Sequence, residues 1–268
     1  MITEEEITHY IHEVQKSELL YFENEKQAIS FALNCIDLTS LESTDTDAKI
    51  TNLCNTALHY HPQTAGVCVY PVFVKLAKNL LKNSSIKTVS VAGGFPSGQT
   101  FLSVKLAEVK YALNQGADEI DIVLAQGLFL EKKYDLVFEQ IKEIKSLCEG
   151  KKLKVILETG QLQSIENIAK TSEIAMEAEA DFIKTSTGKT AINSTPEAFT
   201  CMLLAIKSHY EKTGKQIGVK PAGGIQDVET VLLYIKLLEK ILGEQWLTNN
   251  YFRIGASQLA EKLADFIG

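Results

Sequence analysis

Eight short apolar runs, each set apart from the next by a longer segment of helical periodicity, govern what this chain can fold into. They lie at positions 35–38, 67–70, 89–92, 119–124, 153–158, 182–185, 217–221 and 252–255. All are rich in Val and Ile and too short to be typical helices. Near-continuous hydrophobicity predicts parallel strands covered on both faces. A strand followed by a helix, eight times over, is the α/β count of a (β/α)8 TIM barrel. A doubly wound open sheet is the alternative, although that topology more often divides a chain of this length.

The 268 residues, 45% of them hydrophobic, suffice for one barrel core. No long Pro/Gly/Ser linker, low-complexity tract or repeat points to a second unit. Residues 1–268 are therefore expected to form a single barrel domain. Within it, residues 1–33 read as an N-terminal helical extension that caps the lower end of the barrel or packs on its side.

Helix boundaries are legible in places. Val137, Ile141, Ile144 and Cys148 share one helical face, and Gly150 supplies a stop. Thr195-Pro196 reads as an N-cap followed by proline at the first helical position. Asp227 reads as another cap, ahead of Leu232, Ile235 and Leu238, and Leu259, Leu263 and Phe266 form the last stripe.

Active sites in such barrels lie at the carboxyl ends of the strands. Two lysines stand at such ends, Lys184 and Lys220, in apolar runs that open into glycines. Lysine is almost never fully buried without a reason. A second ammonium nearby, with partial desolvation, disfavours the charged form of an amine and is a known route to an imine-forming lysine. The competing reading pairs each lysine with a barrel carboxylate such as Asp121, giving it structural work only. Taken singly, either lysine fits both readings; the pair with its glycines favours chemistry. Other polar residues at strand ends are Asp37, Thr39, Cys68, Glu158 and Thr185. Glu119 and Asp121 share a face of their strand, and an acid turned into an apolar barrel is costly unless paired or used.

Gly188, Gly223, Gly224 and Gly255, with Ser257, follow the last three runs. Loops in these positions commonly hold phosphate in this fold, because glycine lets backbone N–H groups approach an anion. Lys189 would add charge. Ordinary turn chemistry is the competing account of the glycines, and three such loops in neighbouring positions weigh against it.

Several classes are disfavoured. Thr187-Gly188-Lys189-Thr190 ends like a P-loop, but the required first glycine is Ile183. Gly93-Gly94-Phe95-Pro96-Ser97-Gly98 has the wrong spacing for a dinucleotide fingerprint. Neither His9 with His12 nor His59 with His61 has a third ligand near in sequence, so no metal is expected. Cys68 reads as a small wall residue. A formal charge of −7 without a basic stripe argues against nucleic acid. Five scattered cysteines without a Cys-x-x-Cys pair fit a reducing, cytoplasmic setting. No apolar stretch approaches the ~20 residues of a membrane span, and the acidic N-terminus resembles no signal segment.

At these residues the chain resembles the deoxyribose-phosphate aldolases, class I aldolases on a (β/α)8 barrel. The matching segments begin with Ile36-Asp37-Leu38-Thr39, Val67-Cys68-Val69-Tyr70-Pro71 and Gly116-Ala117-Asp118-Glu119-Ile120-Asp121. Leu153-Lys154-Val155-Ile156-Leu157-Glu158-Thr159-Gly160 follows, then Asp181-Phe182-Ile183-Lys184-Thr185-Ser186-Thr187-Gly188-Lys189. Gly218-Val219-Lys220-Pro221-Ala222-Gly223-Gly224 and the stretch from Phe252 to Ser257 complete the series. The stretch ending in Lys189 is highly specific to the family.

The resemblance implies that Lys184 forms the imine, Lys220 tunes it and Asp121 relays protons. It implies phosphate contacts at Gly188, Gly223, Gly224, Gly255 and Ser257 and a substrate contact at Asp37; Lys189 is expected to join the phosphate contacts, and Thr39, Cys68 and Thr185 the substrate contacts. Gln258 stands where the family often has a second serine, the chain ends at Ile267-Gly268 where some members carry a tyrosine tail, and the first residues extend beyond the compact pattern.

The expected activity is reversible cleavage of 2-deoxy-D-ribose 5-phosphate to acetaldehyde and D-glyceraldehyde 3-phosphate through a lysine Schiff base, in deoxyribonucleotide catabolism. No cofactor, nucleic acid or membrane partner is expected. A homo-oligomer, with a dimer as the expected state, is. The rival readings are an isomerase or transaldolase-like enzyme of phospho-sugars and a non-catalytic barrel that senses a phosphorylated ligand.

Overall fold

Strand and helix alternate along nearly the whole chain in the computed structural model, which describes residues 2–268. Helices α1 (Glu4–Gln15) and α2 (Glu25–Asn34) precede β1 (Ile36–Thr39). There follow α3 (Asp47–His59), β2 (Gly66–Val69), α4 (Val74–Leu81), β3 (Lys87–Ala92), α5 (Leu102–Asn114) and β4 (Glu119–Val123). Next come α6 (Gln126–Leu130), α7 (Tyr134–Leu147), β5 (Lys152–Ile156), α8 (Ile165–Glu177), β6 (Phe182–Lys184) and α9 (Pro196–Thr213). The series ends with β7 (Gly218–Lys220), α10 (Val228–Leu242), β8 (Ile254–Ala256) and α11 (Leu259–Ile267).

The eight strands form one parallel sheet in the order β7-β6-β5-β4-β3-β2-β1-β8. Two isolated parallel bridges, Val219 to Phe252 and Ala222 to Gly255, join its edges and close the (β/α)8 barrel. The seam between β7 and β8 is thus the least regular part of the wall.

All eight runs became strands with ends displaced by at most two residues. The fifth stops at Ile156, short of the expected 158, because Glu158 turns into the left-handed region at φ 58°. Caps behave as their chemistry requires: Thr195 accepts from the Ala198 amide and Asp227 from the Thr230 amide. The stripe Val137, Ile141, Ile144 and Cys148 is buried, as are Leu259 and Leu263. Phe266 departs from the expected last stripe and is 36% exposed, since α11 ends one residue beyond it and presents no further turn to cover the ring.

The N-terminal segment folds as two helices. α1 packs against α9 and α10, on the side of the barrel, while α2 fits between α10 and α11. Phe31 of α2 stacks on Phe252 at 5.9 Å, tying the extension to the seam. The single tryptophan, Trp246, is buried beside it and donates from Nε1 to the Ile217 carbonyl at 2.9 Å.

Alternation along the strands divides the residues between two environments. Ile120, Ile122, Leu153, Val155, Ile183 and Val219 turn outward into the main core under the helices. Inside the barrel, Leu41, Cys68, Val89 and Val91 form one small apolar cluster, and buried Phe182 lies with its ring 6.0 Å from Lys154 Nζ. Charged side chains occupy much of the remaining interior.

Candidate active site

Register brings the two lysines together. Lys184 and Lys220 are directly paired across β6 and β7, and Asp121 is paired with Lys154 across β4 and β5. Asp121 lies in mid-strand, below the strand-end position expected for it, and its depth puts the carboxylate beneath both amines. Its Oδ2 accepts from Lys184 Nζ at 3.1 Å and from Lys220 Nζ at 2.9 Å, while Oδ1 accepts from Lys154 Nζ at 2.8 Å.

The network runs further than these contacts. Lys220 also reaches Asp37 Oδ2, and Arg253 donates to Asp37 at 2.6 Å and to Glu119 at 2.8 Å. Lys154 closes the circuit on Glu119 at 2.6 Å. Four cationic side chains therefore meet three carboxylates, and all seven are buried. A buried unpaired charge is expensive. If one amine gives up its proton, three cations balance three carboxylates.

Electrostatics selects which amine that is. Burial lowers the proton affinity of Lys184, and the Lys220 ammonium lowers it further, against the opposing pull of Asp121. Lys220 goes the other way: burial opposes its charge, but Asp121 and Asp37 together raise its pKa well above the ordinary lysine value. Lys154 is likewise raised, held by Asp121 and Glu119 against its burial. The carboxyls of Asp37, Glu119 and Asp121 all sit below their usual range, because their cations outweigh desolvation. Lys184 is thus the amine of the cluster that gives up its proton most readily.

Within this network only Lys184 reaches the wall of a cavity of about 300 Å³ at the carboxyl rim of the barrel. Gly188, Lys189, Gly223, Gly224, Gly255 and Ser257 line it too, as does Thr39. Gly188, Gly223 and Gly224 have φ between 77° and 79°, a conformation open to glycine at little cost. At Gly223 a Cβ would also come within 2.7 Å of the Asn193 side-chain oxygen. The loop carrying Gly188 is braced from below by buried Glu158, which accepts from the Thr187 amide at 3.2 Å and from the Thr190 hydroxyl at 3.3 Å.

Three residues expected to touch substrate lie off this wall. Asp37 is fully committed to Lys220 and Arg253 beneath the floor. The Thr185 hydroxyl bridges strands, donating to the Ala222 carbonyl at 3.1 Å and accepting from its amide at 2.9 Å. Cys68 is buried in the small inner cluster, and burial pushes its thiol up to about 11, which leaves it a wall residue. Lys189 does line the cavity, but its ammonium is paired with Glu42 at 2.9 Å.

Glu119, Lys154 and Arg253 were not singled out as site residues. Each is a charged side chain inside an apolar run; Glu119 and Arg253 stand two positions from Asp121 and Gly255, which were, and Lys154 two positions from Ile156 at the end of β5. That period of two was the available signal. Among the described residues no group of three or more His, Cys, Asp or Glu side chains is arranged to hold a metal ion. No helix of the described residues is long and apolar enough to cross a membrane.

A parallel barrel with an amine of lowered proton affinity at its carboxyl rim has the design of a lyase that works through an amine. Residues 31–236 match the family described as DeoC/LacD family aldolase. The chain belongs to that family of aldolases. It is 42% identical over 244 residues to the deoxyribose-phosphate aldolase of Homo sapiens and 41% identical to that of Bos taurus, in each case across 85% of this chain and 77% of the relative. Among solved structures it is similar to the tetrameric deoxyribose phosphate aldolase of Aeropyrum pernix, with a TM-score of 0.71, 25% identity, and coverage of 98% of this chain and 97% of that one.

Proposed function

We propose that the chain reversibly cleaves 2-deoxy-D-ribose 5-phosphate to acetaldehyde and D-glyceraldehyde 3-phosphate through an imine on Lys184. The observation that carries this reading is the depressed proton affinity of Lys184, beside a charged Lys220, at the floor of a glycine-lined cavity.

In its neutral form the amine adds to the C1 aldehyde of the open-chain sugar, and the carbinolamine takes up a proton and loses water, giving an iminium; the same proton is returned at the final hydrolysis. Asp121, with its partner Lys220, receives the C3 hydroxyl proton by way of the cavity floor. The C2–C3 bond then breaks and its electron pair forms the enamine, neutralising the nitrogen. C3 departs as the aldehyde of glyceraldehyde 3-phosphate. Protonation of the enamine carbon and hydrolysis of the imine release acetaldehyde and restore the amine. The Lys184 hydrogen bond to Asp121 Oδ2 weakens once the nitrogen is bonded to carbon, which leaves Lys220 as the remaining donor to that oxygen and opens a place on it for the proton. Gly188, Gly223, Gly224, Gly255 and Ser257 hold the phosphate, and this remote binding orients the reacting carbon.

The same reading makes the protein a cytoplasmic enzyme of deoxyribonucleotide catabolism. It is also expected to self-associate, a dimer being the state first tested by light scattering.

Borohydride reduction in the presence of acetaldehyde, followed by intact mass and peptide mapping, tests the proposal. A reduced two-carbon adduct on Lys184 supports it, and an unmodified Lys184 peptide removes the imine step. A phosphate-sensing barrel would keep ligand affinity in Lys184→Arg, whereas an imine enzyme loses turnover.

A further inference from the structure

We propose that Lys262, on the first turn of α11, supplies the positive charge that selects a phosphorylated substrate, in place of Lys189. This rests on the aldolase reading above and assigns a specificity residue to its anion end.

Two ammonium groups other than Lys184 line the cavity, Lys189 and Lys262. Lys189 extends from the β6 loop and is neutralised by Glu42, which stands after β1 and also lines the cavity. Lys262 Nζ donates to the Gln226 carbonyl at 2.8 Å, and among the described residues no carboxylate pairs with it. Asp227, which caps α10 by accepting from the Thr230 amide at 2.8 Å, feels the Lys262 charge but stands beyond ion-pair distance of it. Gln226, which follows the Gly223-Gly224 turn, is uncharged, and so is Gln258. Among the described residues Lys262 is therefore the cavity cation outside the buried network with no carboxylate at ion-pair distance.

Its placement suits the task. The Lys262 bond to Gln226 ties α11 to the loop after β7, so the ammonium is held between the two glycine segments that would cradle a phosphate. The α11 N-terminus beside it has no side-chain cap, leaving backbone amides for the same anion. A carbonyl partner costs little to displace when a charge-assisted bond to phosphate replaces it.

Glu42 makes the arrangement testable. While Glu42 holds Lys189, removal of Lys262 leaves the cavity rim without net positive charge. When Glu42 is neutral, Lys189 is free to take the anion.

Two readouts are used: the kcat/KM ratio for 2-deoxyribose 5-phosphate over unphosphorylated 2-deoxyribose, and the calorimetric Kd for inorganic phosphate. Lys262→Gln is expected to lower the ratio and raise the Kd by about tenfold, the scale of one charge-assisted bond. Lys262→Arg should restore most of both. Glu42→Gln should tighten phosphate binding, and Glu42→Gln combined with Lys262→Gln should recover most of the wild-type affinity through the freed Lys189. Unchanged phosphate Kd in Lys262→Gln overturns the assignment, as does a double variant no better than Lys262→Gln alone. Wild-type protein without acetaldehyde trapping would defeat the aldolase reading, while phosphate calorimetry still decides the role of Lys262.

Discussion

Lys184 and Lys220 donate to the same oxygen of Asp121, at 3.1 Å and 2.9 Å, and yet their proton affinities are driven in opposite directions. The difference is the second carboxylate. Lys220 also holds Asp37, whereas the other face of Lys184 is the cavity. One shared acid with one additional acid on a single side is enough to make an unequal pair.

Removing the Lys184 amine should abolish turnover and leave the fold more stable. A lysine depressed in the folded state binds its proton more weakly there than in the unfolded chain, so at neutral pH it costs stability, and this cost shrinks as pH rises toward the unfolded value. Lys184→Met keeps the volume and leaves Asp121 paired with Lys154 and Lys220. A gain of about 1–2 kcal/mol is expected, read as a higher midpoint in urea by Trp246 fluorescence. A less stable variant would show that the Lys184 contact to Asp121 outweighs its desolvation.

Lys220→Met should move the acid limb of activity to higher pH. The substitution removes the ammonium that lowers Lys184 and leaves Asp121 and Asp37 with one cation fewer, and both changes favour a protonated Lys184. Turnover at neutral pH is expected to fall tenfold for each ~1.4 kcal/mol by which protonation becomes easier. Rate profiles from mild acid to about pH 10 would reveal the displaced limb, and Lys220→Arg should largely retain the wild-type position. A limb that stays where it was in Lys220→Met would show that Lys220 does not tune the amine.

Arg253→Met should destabilise by about 3–5 kcal/mol, the usual result of leaving buried acids without a partner. Asp37 and Glu119 are both depressed in the folded state, with Arg253 among the causes. Their contribution is present above the unfolded carboxylate range near pH 4 and is lost as pH falls through the lower folded values. The variant therefore begins with less of this contribution. Its stability difference between neutral pH and about pH 3 should be smaller than that of the wild type. Equal differences in chemical denaturation at the two pH values would rule out this role.

Gly223→Ala should weaken phosphate binding more than it weakens imine formation. The alanine would sit at φ 77° with its Cβ crowded against Asn193 at 2.7 Å, so the turn must shift. Acetaldehyde has no phosphate, and its trapping at Lys184 should fall much less than kcat/KM for the phospho-sugar. Parallel losses in the two assays would mean that the turn positions the lysine rather than the anion.

Much of this was readable in the residues, and the reasons differ by element. The β-strands were legible because apolar runs such as Val67-Cys68-Val69 are buried on both faces and keep no polar period. The glycine loops were legible because their φ requirement is local. The commitments of Asp37 and Thr185 were not, since a strand-end polar group faces cavity or neighbour according to register, and register is a property of the closed barrel. Lys189 shows the same limit: its partner Glu42 lies 147 positions away. Lys154, Glu119 and Arg253 carried a signal in their period of two, but only the assembled network distinguishes a cation that balances a charge from one that reacts.

The seam between β7 and β8 has a consequence for how this protein can change over time. Regular pairing lapses there, and Lys220 at the end of β7 and Arg253 just ahead of β8 both clasp Asp37 of β1. The charges that tune the amine also rivet the wall shut. A substitution that reshapes reactivity by deleting one of them loosens the barrel at its weakest join, whereas Thr39, Glu42, Gln226 and Gln258 on the cavity rim have no part in that clasp. Selection for new substrates therefore has its freest course at the rim, and the buried floor is the part it can least readily revise.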